Sequence, residues 1–293
     1  MQSILDAINE WIKDILIGSI QGNLEALLGD VNEKVGTIAA EVGKTPQGWN
    51  GSVFSMIKTL SENVIVSIAG FVITYVLCYE LISMIIDKNN LHELDTFMFF
   101  KWFFKAWVAV YIVTHTFDIT MAVFDVAQHV VSGATGVISS DTSMNISSTI
   151  SSMGDKLKDM EIPELLLLSI ETGLVSLSMK IMSIFITVVI YGRMIEIYLV
   201  CSIAPIPFAT MTNKEWGSIG NNYLKSLFAL GFQGFLIMVC VGIYAVLIKG
   251  MTLSDNLHTA IFSLAAYTVL LCFMLLKSSA ISKSISKSIF GAH

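Results

Sequence analysis

The sequence predicts an all-α, polytopic integral membrane protein with about five transmembrane helices, alternatively six, and an amphipathic N-terminal helical region. Three observations carry that reading. Only 14% of the 293 residues are charged, against about 25% in a soluble globular domain. The mean hydropathy is +0.73. The runs 226–248 and 259–276 contain no Asp, Glu, Lys, Arg or His, and a helix needs about 20 apolar residues to cross a hydrocarbon core roughly 30 Å thick.

Residues 1–63 read as a non-spanning region. Ile4, Leu5, Ile8, Trp11, Ile12, Ile15, Leu16, Ile20, Leu24 and Leu27 recur every three or four positions, with Asp6, Glu10, Lys13 and Asp14 between them. That spacing makes an amphipathic helix, which either lies in the membrane interface or packs on protein. Its polar face is more acidic than basic, which favours the protein partner. The opening MQSILDAINEW lacks the basic segment and unbroken apolar stretch of a cleavable signal peptide. Residues 45–51, TPQGWNG, form a turn-rich break.

The segment 64–124 holds the first two spans. One covers about 64–86 and closes at the polar stretch 87–90. The other covers about 103–124 and follows the aromatic cluster Phe97, Phe99, Phe100, Trp102, Phe103, Phe104 and Trp107. Such a cluster suits the water boundary, with Lys101 and Lys105 reaching toward head groups. Residues 125–163 turn polar and read as the largest internal hydrophilic loop, carrying short helices. The membrane domain resumes over 164–276. Its first part is either a hairpin of two spans turning at Gly192 or one long helix, 164–204, that breaks at Pro205 and Pro207. A hairpin needs a polar connection of several residues, and only Gly192-Arg193 is present. The long helix is therefore favoured. The tail 277–293 contains Lys277, Lys283 and Lys287 with no acid, and 212–225 contains Lys214 and Lys225. The positive-inside bias puts both in the cytoplasm. Ile281, Ile285 and Ile289 alternate with the tail lysines at helical spacing, the pattern of a helix resting on the cytoplasmic leaflet.

Ionisable groups inside spans mark function or pairing. Glu80 lies toward one end of the first span. His115 and Asp118 share a helical face as a candidate relay or as boundary residues. Arg193 and Glu196, three apart, are placed to neutralise one another, and Lys180 precedes Arg193 by thirteen residues. With Gln233 these are the candidate polar and assembly positions, and Pro205 and Pro207 the helix break. Gly231 and Gly234, and Ala265 and Ala266, offer small residues for close helix contact. No catalytic, cofactor or metal site is expected. The chain lacks GxSxG, HExxH and Walker patterns. Its four cysteines stand singly in apolar runs. The net charge of −6 offers no basic stripe for a nucleic-acid-binding domain.

The segments YGRMIEIYLVCSIAPIPFATM (191–211), NKEWG (213–217), YLKSLFALGFQ (223–233), TPQGWNGSVF (45–54), KNNLHELD (88–95) and the ending IFGAH stand in one order along the chain. In this the sequence resembles the TrbL-type polytopic conjugal transfer proteins of Gram-positive integrative elements. The resemblance implies a non-catalytic inner-membrane channel subunit of a type IV secretion system. Its copies would form a homo-oligomeric ring beside other secretion subunits and separate ATPases, along the path of single-stranded DNA and its relaxase. It also implies an external N-terminus and a cytoplasmic C-terminus in the cell membrane, hence five spans. The alternative is a solute transporter or ion channel working alone.

Overall fold

A computed structural model describes residues 2–86, 96–142, 146–251 and 256–290. The polar stretch expected to close the first span at 87–90, and the chain's last three residues, lie outside these. The described residues form eleven α-helices and no strand. They are α1 Gln2–Val42, α2 Pro46–Trp49, α3 Gly51–Leu60, α4 Val66–Ile86, α5 Thr96–Thr114, α6 Thr116–Thr142, α7 Ile146–Lys158, α8 Ile162–Ile203, α9 Pro205–Phe208, α10 Gly217–Met251 and α11 Leu257–Phe290. A π-helical turn, Ser61–Ile65, joins α3 to α4. Among the described residues six stretches are long and apolar enough to cross a membrane: Gly51–Ile86, Thr96–Thr114, Thr116–Ile138, Ile162–Ile203, Gly217–Gly250 and Leu257–Ile289.

The expected break at 45–51 is built from two successive caps. The Thr45 side chain accepts from the Gly48 N–H ahead of α2, whose first residue is Pro46. Asn50 Oδ1 accepts from the N–H groups of Ser52 and Val53 and starts α3. Each cap satisfies amide donors that lack an intrahelical acceptor. The apolar helix thus begins at Gly51, thirteen residues before the start the hydropathy suggests.

Residues 162–203 are one continuous helix, which settles the choice between long helix and hairpin in favour of the helix. It stops where Pro205 and Pro207 cannot supply the next amide donors. The sixth apolar stretch arises elsewhere, from a joint at His115. There the His115 N–H still donates to the Tyr111 carbonyl (3.1 Å), and the Ile119 N–H donates to the His115 carbonyl (3.0 Å). A single residue bracketed by i→i−4 bonds cannot reverse the chain, since an αα-hairpin needs a loop of about two to five residues.

The chain divides into two compact units. The first comprises Met1–Gly43, Val131–Ile190 and Leu236–Ser278. Here α1 packs on α7. Ile20, Leu24, Leu27, Val31, Ile38 and Val42 are all buried. Polar contacts step along α1 and α8 in the same direction: Ser19 with Ser169 (3.4 Å), Asn23 donating to Thr172 (3.2 Å), and Lys34 donating to the Met179 carbonyl (3.3 Å). The amphipathic helix therefore meets protein of its own chain over most of its length, while Ile4, Leu5, Ile8, Trp11 and Ile15 stay exposed. The expected hydrophilic loop is largely helix, its residues divided between α6 and α7.

The second unit comprises Lys44–Val130, Tyr191–Phe235 and Ser279–His293. Its hub is the proline break. Phe208 joins Phe117, Phe124, Met194, Ile197, Cys201, Leu227 and Leu230 in one apolar cluster. Ala209 joins Ala69, Ile73, Leu77, Ala109 and Val113 in another. A Cβ on Gly220 would sit 2.5 Å from the Pro207 carbonyl oxygen, so only glycine lets the first turn of α10 lie against the break. Gly231 also approaches α6 closely, where an added Cβ would sit 2.8 Å from the Ala127 Cβ, as a small residue at a helix contact should. Tyr198 donates to the Pro46 carbonyl (2.5 Å), tying α8 to the double cap. The tail does not face lipid on all sides. Ser282 donates to the Ala229 carbonyl and Ser286 to the Lys225 carbonyl (2.8 Å), so the tail continues α11 and docks on α10.

Candidate functional site: charged groups of the apolar helices

Each charged position on the apolar helices raises the same question: where does its charge go? In the second unit, Glu80 on α4 forms an ion pair with Lys105 on α5, fixed by the packing of those helices. Trp102, one turn earlier on α5, donates from its indole to the Leu77 carbonyl (3.3 Å). The Glu80–Lys105 pair borders a cavity of about 500 Å³ that also takes in Lys101, Lys214 and Glu215. Tyr79 donates to Glu215 (3.1 Å), and Trp216 stacks on Tyr75 with ring centroids 5.5 Å apart. The loop carrying Glu215 and Trp216 is shaped by Asn213, whose Oδ1 accepts from both of their N–H groups. Glu80 keeps its second carboxylate oxygen buried without a hydrogen bond.

Arg193 and Glu196 do not neutralise one another by an ion pair. Glu196 is bonded to Lys283 on α11 (3.0 Å). Arg193 is 6% exposed, and its Nε has no hydrogen-bond partner. The reason lies in helix geometry. Arg193 falls on the face that buries Met194 and Ile197, and Glu196 on an edge open to the tail. His115 and Asp118 separate in the same way. His115 stacks on Tyr111 (4.2 Å), whereas Asp118 pairs with Lys58 of α3 (3.4 Å). Gln233 is buried, at 3% exposure.

In the first unit Lys180 is exposed and borders a cavity of about 470 Å³ with Asp30, Glu33 and Lys34. Lys34 had not been singled out from the sequence, yet a signal was there. It occupies the stripe Leu27, Val31, Lys34, Ile38, Val42, where every other member is apolar and buried. Burial lowers the Lys34 ammonium from its ordinary value of 10.5, against the opposing pull of Asp30 and Glu33. Between the folded and the unfolded pKa the unfolded chain binds more protons, so raising the pH toward 10.5 stabilises this unit. Lys34→Met is expected to abolish that alkaline rise, measured as the pH dependence of thermal unfolding in detergent. An unchanged profile in the variant would assign the rise to other groups. Sequence reading also missed the pair formed by Glu171 and His258 (2.5 Å), which are 87 residues apart and became neighbours only when α8 met the start of α11.

Among the described residues no cluster of three or more His, Cys, Asp or Glu could hold a metal ion. Long apolar helices that expose Leu, Ile, Phe and Trp, with Glu80, Glu171 and Glu196 each paired to a neighbouring helix, define a helical multi-span membrane protein. Residues 31–205, more than half of the chain, match a family described as TrbL/VirB6 plasmid conjugal transfer like protein, and the chain belongs to that family. It is accordingly a membrane subunit of a conjugal transfer, type IV secretion, apparatus. No curated protein and no solved structure matches it. The matched stretch contains Glu80, Lys180, Arg193, Glu196 and Pro205 and ends ahead of Pro207 and Gln233.

Proposed function

We propose that copies of this chain form a non-catalytic, channel-forming ring in the cell membrane, through which single-stranded DNA and its relaxase pass under the drive of separate ATPases. One observation carries the reading. Large apolar side chains on α8 are exposed from Leu166 to Ile203, a distance of about 55 Å at 1.5 Å per residue. A hydrocarbon core is roughly 30 Å thick. Helix tilt, about 20° on average and rarely above 40°, does not make up that difference. Much of this face therefore needs protein cover, and a homo-oligomer supplies it. Exposed Lys180 lies at the edge of this face, beside the cavity it shares with Asp30 and Glu33, where an aqueous or intersubunit surface removes the cost of a cation in lipid.

The chain crosses five times in this reading, with α5 and α6 in series through His115. The C-terminus and the loop before α10 are cytoplasmic, and the N-terminus and α7 are external. Cysteine labelling in intact cells tests the topology. Asp155→Cys on α7 is expected to react with an impermeant maleimide, and Ser218→Cys at the start of α10 only after permeabilisation. The same accessibility at both positions would contradict the five-span arrangement. The detergent-extracted particle is expected to have several times the mass of one chain. A monodisperse monomer that still complements transfer would overturn the ring.

A further inference from the structure

Near the start of α10 and the end of α11, within the second unit, a cavity of about 400 Å³ is lined by Asn222, Lys225, Ala229, Lys283, Ser286 and Lys287 among others, and by no carboxylate. The Ser282 and Ser286 bonds to α10 carbonyls hold the two helices in register, so lysines of both helices converge on one hollow through fixed backbone. Lys283 is engaged by Glu196. Lys225 and Lys287 have no ion-pair or side-chain hydrogen-bond partner among the described residues. Three ammonium groups thus share one carboxylate. A concave site of one charge sign concentrates counter-ions.

The surroundings specify what carries the anion. The uncharged run 226–248 begins at the cavity. Phe228 and Phe232, next along α10, are each 39% exposed, and the Phe232 ring meets that of Phe235 at 5.2 Å. Residues 228, 232 and 235 lie on one helical stripe. We propose that this cavity binds the phosphate headgroup of an anionic phospholipid, whose acyl chain lies along the phenyl stripe. Inorganic phosphate offers the same anion without a chain. A nucleic-acid backbone offers it without hydrocarbon to cover the exposed rings.

Native mass spectrometry of the full-length protein in detergent tests this, titrating dioleoyl phosphatidylglycerol, the matching phosphatidylcholine, inorganic phosphate and an oligothymidylate as separate arms. Phosphatidylglycerol is expected to be retained in preference to phosphatidylcholine. Lys225→Gln with Lys287→Gln is expected to weaken it about 30-fold, roughly fivefold for each lysine beside an anionic lipid. A charge-matched pair outside the cavity, Lys44→Gln with Lys249→Gln, should leave it within about twofold, and Lys225→Arg with Lys287→Arg should retain it. Equal binding of the two lipids, an equal loss in the control pair, loss in the arginine pair, or capture of phosphate or the oligothymidylate without phosphatidylglycerol would each overturn the proposal.

Discussion

Glu80→Ala is expected to lower the stability of the detergent-solubilised protein by about 2 kcal/mol, and Lys105→Ala by a similar amount. Removing one partner of a buried ion pair costs about 3–5 kcal/mol, because the other charge is left uncompensated. The Glu80 side chain is 20% exposed and that of Lys105 34%, so part of the charge is screened and the figure is discounted accordingly. The double variant should cost less than the sum of the two singles, because no orphan charge remains. A coupling energy of about 1 kcal/mol or more is expected in the cycle. Strict additivity in chemical or thermal unfolding would mean that the pair contributes nothing as a pair.

Arg193→Met is expected to act in opposite directions on stability and on transfer. The guanidinium is buried, forms no ion pair with a carboxylate, and leaves Nε without an acceptor. Taking a charge out of water costs several kcal/mol, and replacing even buried ion pairs by apolar side chains of similar volume is often neutral or stabilising, by up to about 4 kcal/mol. Unfolding should therefore shift to higher temperature while conjugation frequency falls, with membrane insertion unchanged. That divergence separates a charge kept for assembly or passage from one kept for the fold. Wild-type transfer by a stabilised Arg193→Met variant would remove Arg193 from the functional set. Glu196→Ala frees Lys283 from its ion pair and is likewise expected to impair transfer without changing insertion.

What could be read ahead of the structure was whatever depends on neighbours along the chain. The turn-rich break at 45–51, the unbroken helix to Ile203 and its stop at Pro205 each follow from residues within a few positions, while the two caps at Thr45 and Asn50 that build the break emerged only in the structure. Boundaries were harder. The helix that holds the first span starts at the Asn50 cap, because helical hydrogen bonding continues through Lys58 and Glu62 although hydropathy falls there. The region after Asp125 looked like a loop because its polarity is that of a surface, yet Ser and Thr remain compatible with helix once α1 covers α7. The tail lysines suggested a lipid-facing helix, and its serines, spaced four apart at 278, 282 and 286, proved to be the buried face.

By itself the sequence determined the solvent of this protein and the places where its helices stop, since hydropathy, prolines and caps act locally. The destination of each charge was decided only in three dimensions. Glu80 met Lys105, Glu196 chose Lys283 over Arg193, and Glu171 found His258. Charges separated by tens of residues pair according to which helical faces packing brings together; Glu80 and Lys105 meet because α4 packs on α5, with Ala209 joining Ala69, Ile73, Leu77, Ala109 and Val113 in their shared core.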